Sequence, residues 1–427
     1  FMELLPEDQI KFNSMIDKIR KSYEKFGFLP IDTPIIEMSD VLLAKAGGET
    51  EKQIYRFNKG ENDLALRFDL TVPLAKFVSE HYNDLSFPFK RYQIGKVYRG
   101  ERPQKGRYRE FYQCDIDIIG DGSLSIINDA DMPSVIYTTI KELGFDKFTI
   151  RINNRKLLNG LFAELELTEK STDIMRIIDK LEKIGKENVI KCLQDLDVPN
   201  EKIESIIKFI EIDGNNDEKI KALEELQFSN ETFIQGLNEI KDVVKYVRFF
   251  GVPESNFKVD LTIARGLDYY TGTVYETFLD DYREIGSVCS GGRYDNLAEF
   301  YTDRKLPGVG VSIGLTRLFY KLNELNIVKE EEQSISKVLV VSMDEKYQNR
   351  ALEVADSLRK AGINTDVYLE DKKIKAKFKY ADKLKIPYVA VIGENEEEHG
   401  TVSLKNMVSG EQEELTVEGV IAKIKKF

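Results

Sequence analysis

The sequence predicts a multidomain α+β protein: an antiparallel β-sheet domain with helices packed on it, a helical insertion, and a small C-terminal α/β domain. Up to about residue 120, strand-like segments follow one another with few crossover helices, which favours antiparallel pairing. Residues 168–248 are charge-rich and helical in pattern, and strands alternate with helices from residue 337 onward. With 427 residues, the chain is also too long for one ordinary core.

The N-terminal region is predicted to begin with a helix. Apolar residues recur at helical spacing over residues 7–26, and Gly27 follows, the residue type that best ends a helix in the left-handed conformation. The segment FLPIDTPIIE (28–37) has strand character, but Pro34 interrupts it and places it at a sheet edge or an interface. The remaining elements predicted here are strands with a short helix over 64–78 and 87–98, and a strand at FYQCDIDIIG (111–120).

The helical pattern of residues 168–248 is interpreted as an insertion in the first domain. The elements predicted around it are a helix over 128–143, strands at 148–153, 257–263, 273–278 and 287–292, and a helix over 313–325. The acidic stretch VKEEEQSIS (328–336) is the best linker candidate, so we expect domains over 1–327 and 337–427. The second domain has no G-x-x-x-x-G-K or G-x-G-x-x-G loop after its strands.

Composition excludes several classes of protein. No stretch approaches the ~20 apolar residues that a membrane helix needs, and the first residues lack the layout of a signal peptide. The three cysteines form no C-x-x-C pair, which argues against structural zinc and disulfides and favours the reducing cytoplasm. Only two histidines occur, so a His-rich metal site is excluded and no metal site is expected in the protein. The chemistry must come from arginine, lysine, carboxylates and tyrosine.

The densest basic segment is YRGERPQKGRYREF (98–111), between two predicted strands. It carries Arg99, Arg107 and Arg109, and the planar guanidinium group matches phosphate oxygens in pairs. A loop of this kind suits the recognition of a polyphosphate. A solvated surface hairpin is an equally good explanation for this segment alone.

Three other segments carry candidate ligand-binding residues. RGLDYYTGTVYE (265–276) brings Arg265, Tyr269 and Tyr270 to the end of a strand, although a hairpin with tyrosines in the core is an alternative. RFDLTVPLAKF (67–77) holds Asp69 and Thr71, for which a structural ion pair is the alternative.

The last segment is rich in glycine. SGGRYDNL (290–297) precedes LPGVGVSIGLTRLF (306–319), whose glycines are predicted to form a turn that lets the backbone approach a ligand. Arg317 lies on the helix that this turn opens. The spacing is not that of a dinucleotide-binding fingerprint, so the glycines alone are a weak signal.

In this order the four segments resemble the histidyl-tRNA synthetase family of class II aminoacyl-tRNA synthetases. FGFLPIDTPIIE resembles the first class II motif, with Pro34 at the dimer contact, and VYRGERPQKGRYREFYQCDIDIIG resembles the arginine-bearing second motif. GVGVSIGLTRLF resembles the third motif, with Arg317 as its arginine, and the segments at 265–276 and 290–297 resemble stretches peculiar to histidine enzymes. The C-terminal domain is similar to the family's anticodon-binding domain.

The resemblance implies a ligase that activates L-histidine with ATP, accompanied by Mg²⁺, and loads it onto its tRNA. It also implies a cytoplasmic homodimer. The implied ATP-binding residues are Arg99, Arg107, Arg109 and Arg317, of which Arg99 would hold the α-phosphate. The implied histidine-binding residues are Asp69, Leu70, Thr71, Arg99, Gln113, Asp117, Arg265, Tyr269 and Tyr270.

The resemblance also implies a specific role for most of the histidine-binding residues. Asp69, Thr71 and Gln113 would receive the amino group, and Asp117 and Tyr270 would hydrogen-bond the imidazole beside Tyr269. Arg265 would lie beside the carboxylate and the α-phosphate, so Arg265, Arg99 and Gln113 are the expected catalytic residues. The chain departs from common bacterial members at Asp69, Leu70, Asp117 and Thr316, where Glu, Gly, Glu and Glu are frequent.

Physical chemistry agrees with this assignment. Attack of a carboxylate on an α-phosphate brings two anions together, so catalysis consists of positioning and charge neutralisation by groups that do not titrate.

A contact with tRNA is expected at residues 371–385, which contain seven lysines and two aspartates. A solvated helix face explains most of these lysines equally well. Two rival functions are a non-catalytic synthetase-like regulatory subunit and a sensor that only binds tRNA. Arg265 and residues 337–427 argue against the first, and the ATP-site arginines against the second.

Overall fold

The computed structural model describes residues 2–44, 48–101, 106, 108–263, 269–327 and 334–426. The chain divides into two compact units. The first comprises residues 15–327 with the first two residues of the chain, and the second comprises residues 328–427 with residues 3–14. In the described residues, no helix is both long and apolar enough to span a membrane.

The helices and strands are numbered here in chain order. The α-helices are α1 (Pro6–Lys25), α2 (Ser39–Leu43), α3 (Gly48–Gln53), α4 (Thr71–Glu80), α5 (Ile127–Glu142), α6 (Arg155–Glu164), α7 (Ser171–Ile178), α8 (Leu181–Ile184), α9 (Lys186–Asp195), α10 (Asn200–Ile210), α11 (Asn216–Glu225), α12 (Glu231–Phe249), α13 (Leu315–Glu324), α14 (Gln348–Lys360), α15 (Ile374–Lys383), α16 (Glu394–His399) and α17 (Val417–Lys425). The β-strands are β1 (Leu29–Pro30), β2 (Ile36–Met38), β3 (Arg56–Lys59), β4 (Asn62–Leu66), β5 (Phe89–Tyr98), β6 (Glu110–Ile119), β7 (Phe148–Asn154), β8 (Phe257–Val259), β9 (Thr273–Leu279), β10 (Cys289–Tyr294), β11 (Gly308–Ile313), β12 (Val338–Ser342), β13 (Thr365–Val367), β14 (Tyr388–Ile392), β15 (Val402–Asn406) and β16 (Gln412–Leu415).

An eight-stranded sheet is the centre of the first unit. Its strand order is β1-β5-β6-β11-β10-β9-β7-β8, and the neighbours are antiparallel except at the two edges, where β1–β5 and β7–β8 are parallel. The predicted antiparallel sheet is therefore confirmed. A separate three-stranded sheet, β2-β4-β3, lies before α4 in sequence.

The two faces of the large sheet have different characters because side chains alternate along each strand. On β6, Cys114, Ile116 and Ile118 are fully buried on one face. Helices α1 and α5 pack on that side: Tyr23 of α1 donates a hydrogen bond to the Cys114 carbonyl over 3.0 Å. Residues 113, 115 and 117 alternate with them, point to the opposite face and are polar, and that face carries the site described below.

The glycine-rich segment around GVGVSI is not the predicted turn. It forms the strand β11, between β6 and β10 in the middle of the sheet. Its glycines make room for side chains of the neighbouring strands: a Cβ on Gly308 would lie 2.6 Å from Cζ of Tyr294, and a Cβ on Gly310 would lie 2.5 Å from Cγ of Asp117. For Gly308 and Gly310 the prediction was wrong, because the protein's own side chains fill the space that it ascribed to a ligand. Gly291 and Gly314, which were part of the same prediction, do line the cavity described below.

The segment predicted as one strand around Pro34 is divided. Leu29–Pro30 pairs with β5 at the edge of the large sheet, whereas Ile36–Met38 joins the three-stranded sheet, so the proline separates two sheets. The predicted helical insertion is confirmed as a run of helices from α7 to α12. Helix α6 precedes it and was not predicted. Helices α6 and α12 cross closely, since a Cβ on Gly236 would lie 2.8 Å from the Leu157 nitrogen.

The second unit has its own five-stranded sheet of order β13-β12-β14-β15-β16. The first three strands are parallel and the last two antiparallel, with helices α14 and α17 on the core that the strand residues form. The predicted α/β character is confirmed. The prediction missed α16, which has only six residues, and β16, whose residues are mostly exposed and lack an apolar pattern.

Candidate active site

A cavity of about 460 Å³ opens on the polar face of the large sheet. Residues from four distant segments meet there. The predicted site residues that line it are Asp69, Thr71, Arg99, Gln113, Tyr269, Tyr270 and Arg317. Five predicted residues are not among them. Arg107 and Arg265 lie outside the described residues, whereas Leu70, Arg109 and Asp117 are described but do not line the cavity.

Arg99 is held rigidly at the end of β5. Its guanidinium group lies between the rings of Phe68 and Phe111, at 4.4 and 5.1 Å from the ring centroids. Its Nε donates a hydrogen bond to the Phe68 carbonyl over 3.1 Å, and its backbone N–H pairs with the carbonyl of Arg109 over 2.9 Å. The cavity therefore contains a permanent positive charge whose position is fixed before any ligand arrives.

Arg317 supplies a second permanent charge from α13. Its Nη2 donates to the Ile285 carbonyl over 2.7 Å. Gly286 lies beside it with a φ of +78°, and a Cβ there would lie 2.8 Å from Nη2, so glycine both forms this turn and leaves space for the guanidinium group. Arg109, by contrast, is exposed, with its Nε 3.4 Å from the Glu101 carbonyl.

Asp69 lies at the start of α4 with its carboxylate turned back on the helix. Its Oδ1 accepts the backbone N–H groups of Thr71 and Val72, at 3.2 and 3.0 Å. Burial raises the pKa of Asp69, while these two N–H groups and Arg99 oppose the shift. Leu70 is the residue just before α4, is fully buried, and contributes its carbonyl to Arg91 over 3.2 Å.

Two tyrosines form one side of the cavity. The rings of Tyr269 and Tyr270 meet edge to face at 5.0 Å, and burial raises the pKa of both hydroxyls. Both therefore stay protonated and can donate hydrogen bonds. The ring of Tyr270 passes over Gly292, where a Cβ would lie 3.0 Å from Cδ1 of the tyrosine, and Arg155 holds its carbonyl over 3.0 Å.

The floor of the cavity is β6. Gln113 and Asp115 both line it, two residues apart and on the same face of the strand. Gln113 donates its Nε2 to the Ser312 hydroxyl over 2.8 Å, which leaves its Oε1 buried without a partner among the described residues. Oδ1 of Asp115 is likewise buried and unpartnered within the part of the chain that the structure describes.

Asp117 follows on the same face but does not reach the cavity wall. Its Oδ2 lies 2.6 Å from Nη2 of Arg91, which is fully buried, and its Oδ1 accepts the Tyr294 hydroxyl over 2.6 Å. Burial raises the pKa of Asp117 to about 6, with Arg91 and Tyr294 opposing the shift. Both oxygens of Asp117 therefore contact donors from the protein, and its expected contact with an imidazole ring stays a prediction.

The described residues contain no group of three or more histidine, cysteine or acidic side chains able to hold a metal ion. Four carboxylates do line the cavity, namely Asp69, Glu101, Asp115 and Glu276. The site as a whole thus combines fixed cations, buried hydrogen-bond acceptors and tyrosine donors. It suits the binding of an anionic ligand beside a small ligand with N–H donors.

Comparison with known proteins gives the family. A model described as histidyl-tRNA synthetase matches residues 1–318, and one described as anticodon binding domain matches residues 337–427. The histidine–tRNA ligase of Clostridium tetani is 61% identical over 426 residues, covering 100% of this chain and 97% of the relative. The chain belongs to the histidyl-tRNA synthetase family.

Two further relatives agree with this family assignment. The histidine–tRNA ligase of Finegoldia magna is 51% identical over 424 residues, 99% of this chain and 98% of the relative. The crystal structure of histidyl-tRNA synthetase from Nostoc sp. PCC 7120 superposes with a TM-score of 0.92 at 40% identity, covering 100% of this chain and 97% of that one. The predicted class II synthetase fold and the resemblance stated from the motifs are therefore confirmed.

Some residues of this synthetase-family site were not predicted from the sequence. Asp115 was missed, although the period-two alternation of β6 puts it on the same face as Gln113. Arg293, within SGGRYDNL, forms a buried ion pair with Asp129 of α5 at 2.7 Å. Tyr275 of the cavity wall donates a hydrogen bond to the Asp129 carbonyl over 2.7 Å. These two contacts of Asp129 attach the cavity wall to α5. No local sequence pattern indicates such a long-range pairing.

Proposed function

We propose that the protein is a histidine–tRNA ligase. It activates L-histidine with ATP to give histidyl-adenylate and pyrophosphate, then transfers histidine to the 3′ end of its tRNA and releases AMP. The observation that carries this proposal is 61% identity with a histidine–tRNA ligase along the whole chain. Two fixed arginines beside buried acceptors in one cavity support it independently.

On the ATP side, Arg99 binds the α-phosphate and Arg317 the outer phosphates or the adenine ring. Support comes from their rigid attachment, because preorganised cations stabilise the extra negative charge of the transition state at no reorganisation cost. The proposal extends to Arg107 and Arg109 of the same loop on sequence grounds. The exposed position of Arg109 would require it to turn toward the nucleotide.

On the amino-acid side, Asp69, Thr71 and Gln113 receive the amino group. Oε1 of Gln113 is buried and has no donor in the part of the chain that the structure describes, which supports this role because a buried acceptor needs a donor. Tyr270 donates to the imidazole beside Tyr269, and Leu70 shapes the pocket through its backbone. Asp117 also hydrogen-bonds the imidazole, with its carboxylate oriented by Arg91 and Tyr294.

Arg265 is proposed to lie between the histidine carboxylate and the α-phosphate, as the catalytic residue with Arg99 and Gln113. The reaction is in-line attack of the carboxylate on phosphorus, with pyrophosphate leaving. Arginines at that point neutralise two anions without titrating. No nucleophilic side chain or general base is required.

Mg²⁺ accompanies ATP in this proposal. Carboxylate oxygens are the protein ligands that Mg²⁺ prefers, together with phosphate oxygens and water. Glu101 and Glu276 fit that requirement, since both line the cavity that contains the two arginines. The ion would reduce the charge of the polyphosphate.

For tRNA, we propose a division of labour between domains. Residues 1–327 form the catalytic domain with its insertion at about 168–248, residues 328–336 are the linker, and residues 337–427 bind the anticodon. The basic segment around α15 supports an RNA contact, and its exposed lysines are Lys372, Lys373, Lys375, Lys379, Lys383 and Lys385. Lys377 has a structural role instead, because it is buried and donates to the Ser342 carbonyl over 2.9 Å.

The protein is also proposed to be a cytoplasmic homodimer. Large apolar side chains stay exposed around the first motif, namely Leu29 at 58%, Ile35 at 40% and Ile36 at 49%. Clustered exposed apolar residues next to a short edge strand are typical of a protein–protein interface. The cytoplasmic location rests on the three unpaired cysteines and on the translation role.

Histidine-dependent exchange between ATP and pyrophosphate tests the enzymatic proposal. Absence of exchange in the purified full chain would leave the two rivals, the regulatory subunit and the tRNA sensor. Arg265→Ala should lower exchange by about 10²–10³, the usual loss of one preorganised donor, while tRNA binding in a filter assay changes little. Equal loss of exchange and tRNA binding would mean that Arg265 is structural.

A further inference from the structure

We propose that Arg155 is a positioning residue for the activation of histidine: from the first turn of α6 it fixes the backbone of Tyr270 and so places the hydroxyl of that tyrosine in the cavity. This inference rests on the proposed function and gives a role to a residue outside the site that the motifs imply. Arg155 is 8% exposed and is not among the residues that line the cavity. Any effect on the ligand therefore passes through the cavity wall.

Arg155 binds the cavity wall at two points. Its Nη1 donates a hydrogen bond to the Tyr270 carbonyl over 3.0 Å, and its backbone N–H donates to the Gly272 carbonyl over 2.9 Å. The residue between them is held by β10, since the N–H of Thr271 donates to the Arg293 carbonyl over 2.8 Å. The backbone of residues 270–272 is thus fixed both from the start of α6 and from β10.

The ring of Tyr270 is restricted as well as its backbone. The ring passes over Gly292, where a Cβ would lie 3.0 Å from Cδ1, and it meets the ring of Tyr269 at 5.0 Å. Both tyrosines line the cavity. Because backbone and ring are both held, the Tyr270 hydroxyl has its position set before a ligand binds, as a preorganised donor requires.

The location of Arg155 is unfavourable for a cation by itself. Arg155 is the first residue of α6, where the helix dipole disfavours positive charge, and burial of its guanidinium group costs solvation. The helix does not need Arg155 in order to begin, since the Asn154 side chain caps it by accepting the N–H of Lys156 over 2.9 Å. The hydrogen bond to the Tyr270 carbonyl offsets part of these costs.

The same turn also holds the chain at an earlier point. Asn153 is fully buried at the end of β7, and its Nδ2 donates to the Ile263 carbonyl over 2.8 Å. Residues 264–268 lie outside the described residues. Asn153 and Arg155 therefore fix the chain on both sides of that segment, at Ile263 and at Tyr270.

The test compares Arg155→Met with Lys156→Met in the full chain. The KM values for histidine and for ATP are measured by pyrophosphate exchange, and unfolding is followed in urea. Arg155→Met should raise the histidine KM roughly 10- to 100-fold, as expected when a ligand contact moves by about 1 Å, and should leave the ATP KM within about twofold of wild type. Lys156→Met is the matched control, because its Nζ pairs with Glu239 of α12; both KM values should stay within about twofold of wild type, whatever its stability.

A second measurement asks whether Arg155 acts through Tyr270. Tyr270→Phe removes the hydroxyl, so adding Arg155→Met to it should raise the histidine KM by no more than about a further twofold. Arg155→Lys keeps the charge on a shorter side chain and should raise the histidine KM less, roughly 3- to 10-fold. It takes the place of Arg155→Met in the double-variant comparison if the methionine variant does not fold.

A histidine KM in Arg155→Met that stays within about twofold of wild type overturns the proposal. So does an undiminished effect of the Arg155 variant in the Tyr270→Phe background. A parallel rise of both KM values, or an equal rise in Lys156→Met, also overturns it, because Arg155 would then be structural. Absence of exchange in the wild type would instead refute the proposed function itself.

Discussion

Replacing Gly310 by alanine would place a methyl group where the Asp117 carboxylate now lies. The two residues are direct partners across β11 and β6, and the added Cβ would lie 2.5 Å from Cγ of Asp117 and 2.6 Å from the Ile116 carbonyl oxygen. Ordinary carbon contacts are ~3.5–4.0 Å, so something must move by about 1 Å. The backbone oxygen belongs to a central strand, and Asp117 is held on two sides at 2.6 Å.

The expected loss of stability has two parts. Overpacking a filled core costs about 1–3 kcal/mol. If Asp117 is displaced from Arg91, the guanidinium group is left buried without its charge partner, and breaking a buried pair costs about 3–5 kcal/mol. Structural relaxation can reduce the overpacking only by displacing Asp117 from Arg91, and it can keep that pair only by retaining the overpacking. We therefore expect Gly310→Ala to lower the free energy of unfolding by at least ~3 kcal/mol.

Urea unfolding followed by circular dichroism measures this change, since the chain has no tryptophan. Hydrogen exchange of peptides from β6 and β11 locates the effect. Gly314→Ala is the matched control: no atom lies within 4 Å of its added Cβ, its φ is −76°, and a change within about 0.5 kcal/mol is expected. If Gly310→Ala is as stable as Gly314→Ala and equally protected from exchange, the account of the Asp117 pocket is refuted.

Three further results are expected. Arg293→Met should cost about 3–5 kcal/mol in urea unfolding because it leaves Asp129 buried and unpaired, and adding Asp129→Leu should restore part of the loss; no restoration would contradict a pairwise effect. The pKa of Asp115 is about 7 in the folded protein against 3.8 ordinarily, so its contribution to stability is full below pH ~3.8 and is lost as the pH rises through ~7. Asp115→Asn should therefore flatten the fall in unfolding free energy between pH ~4 and ~7, and an unaltered slope would argue against the raised pKa. Ile36→Asp should convert a dimer to a monomer in light scattering, and an unchanged mass would place the interface elsewhere.

Local patterns in the sequence predicted most elements of the fold. The helix α1 follows from apolar spacing that ends at Gly27, and Gly27 has a φ of +77° as a helix-ending glycine requires. The strand β6 follows from a continuous β-prone run, and the helical insertion follows from its charge pattern. These features depend on neighbours in the chain, so composition and spacing suffice to find them.

The prediction failed where distant residues decide the local structure. The segment with Gly308 and Gly310 forms a central strand, because its glycines accommodate Tyr294 and Asp117 from the adjacent strands. Nothing in the segment itself distinguishes that use of glycine from a ligand-binding turn. The role of Arg293 in a buried pair with Asp129 is equally invisible in the local sequence.

The sequence by itself determined the family, the chemical types in the site and the face of β6 that carries them. Residue types and their order along the chain contain that information, since side-chain alternation follows from backbone geometry alone. Only the tertiary structure decided that Asp117 pairs with Arg91, while Asp115 faces the cavity with an oxygen that no donor from residues 2–44, 48–101, 106, 108–263, 269–327 or 334–426 reaches. The two aspartates are alike in sequence, and their difference arises from which groups β5, β10 and β11 bring against each carboxylate.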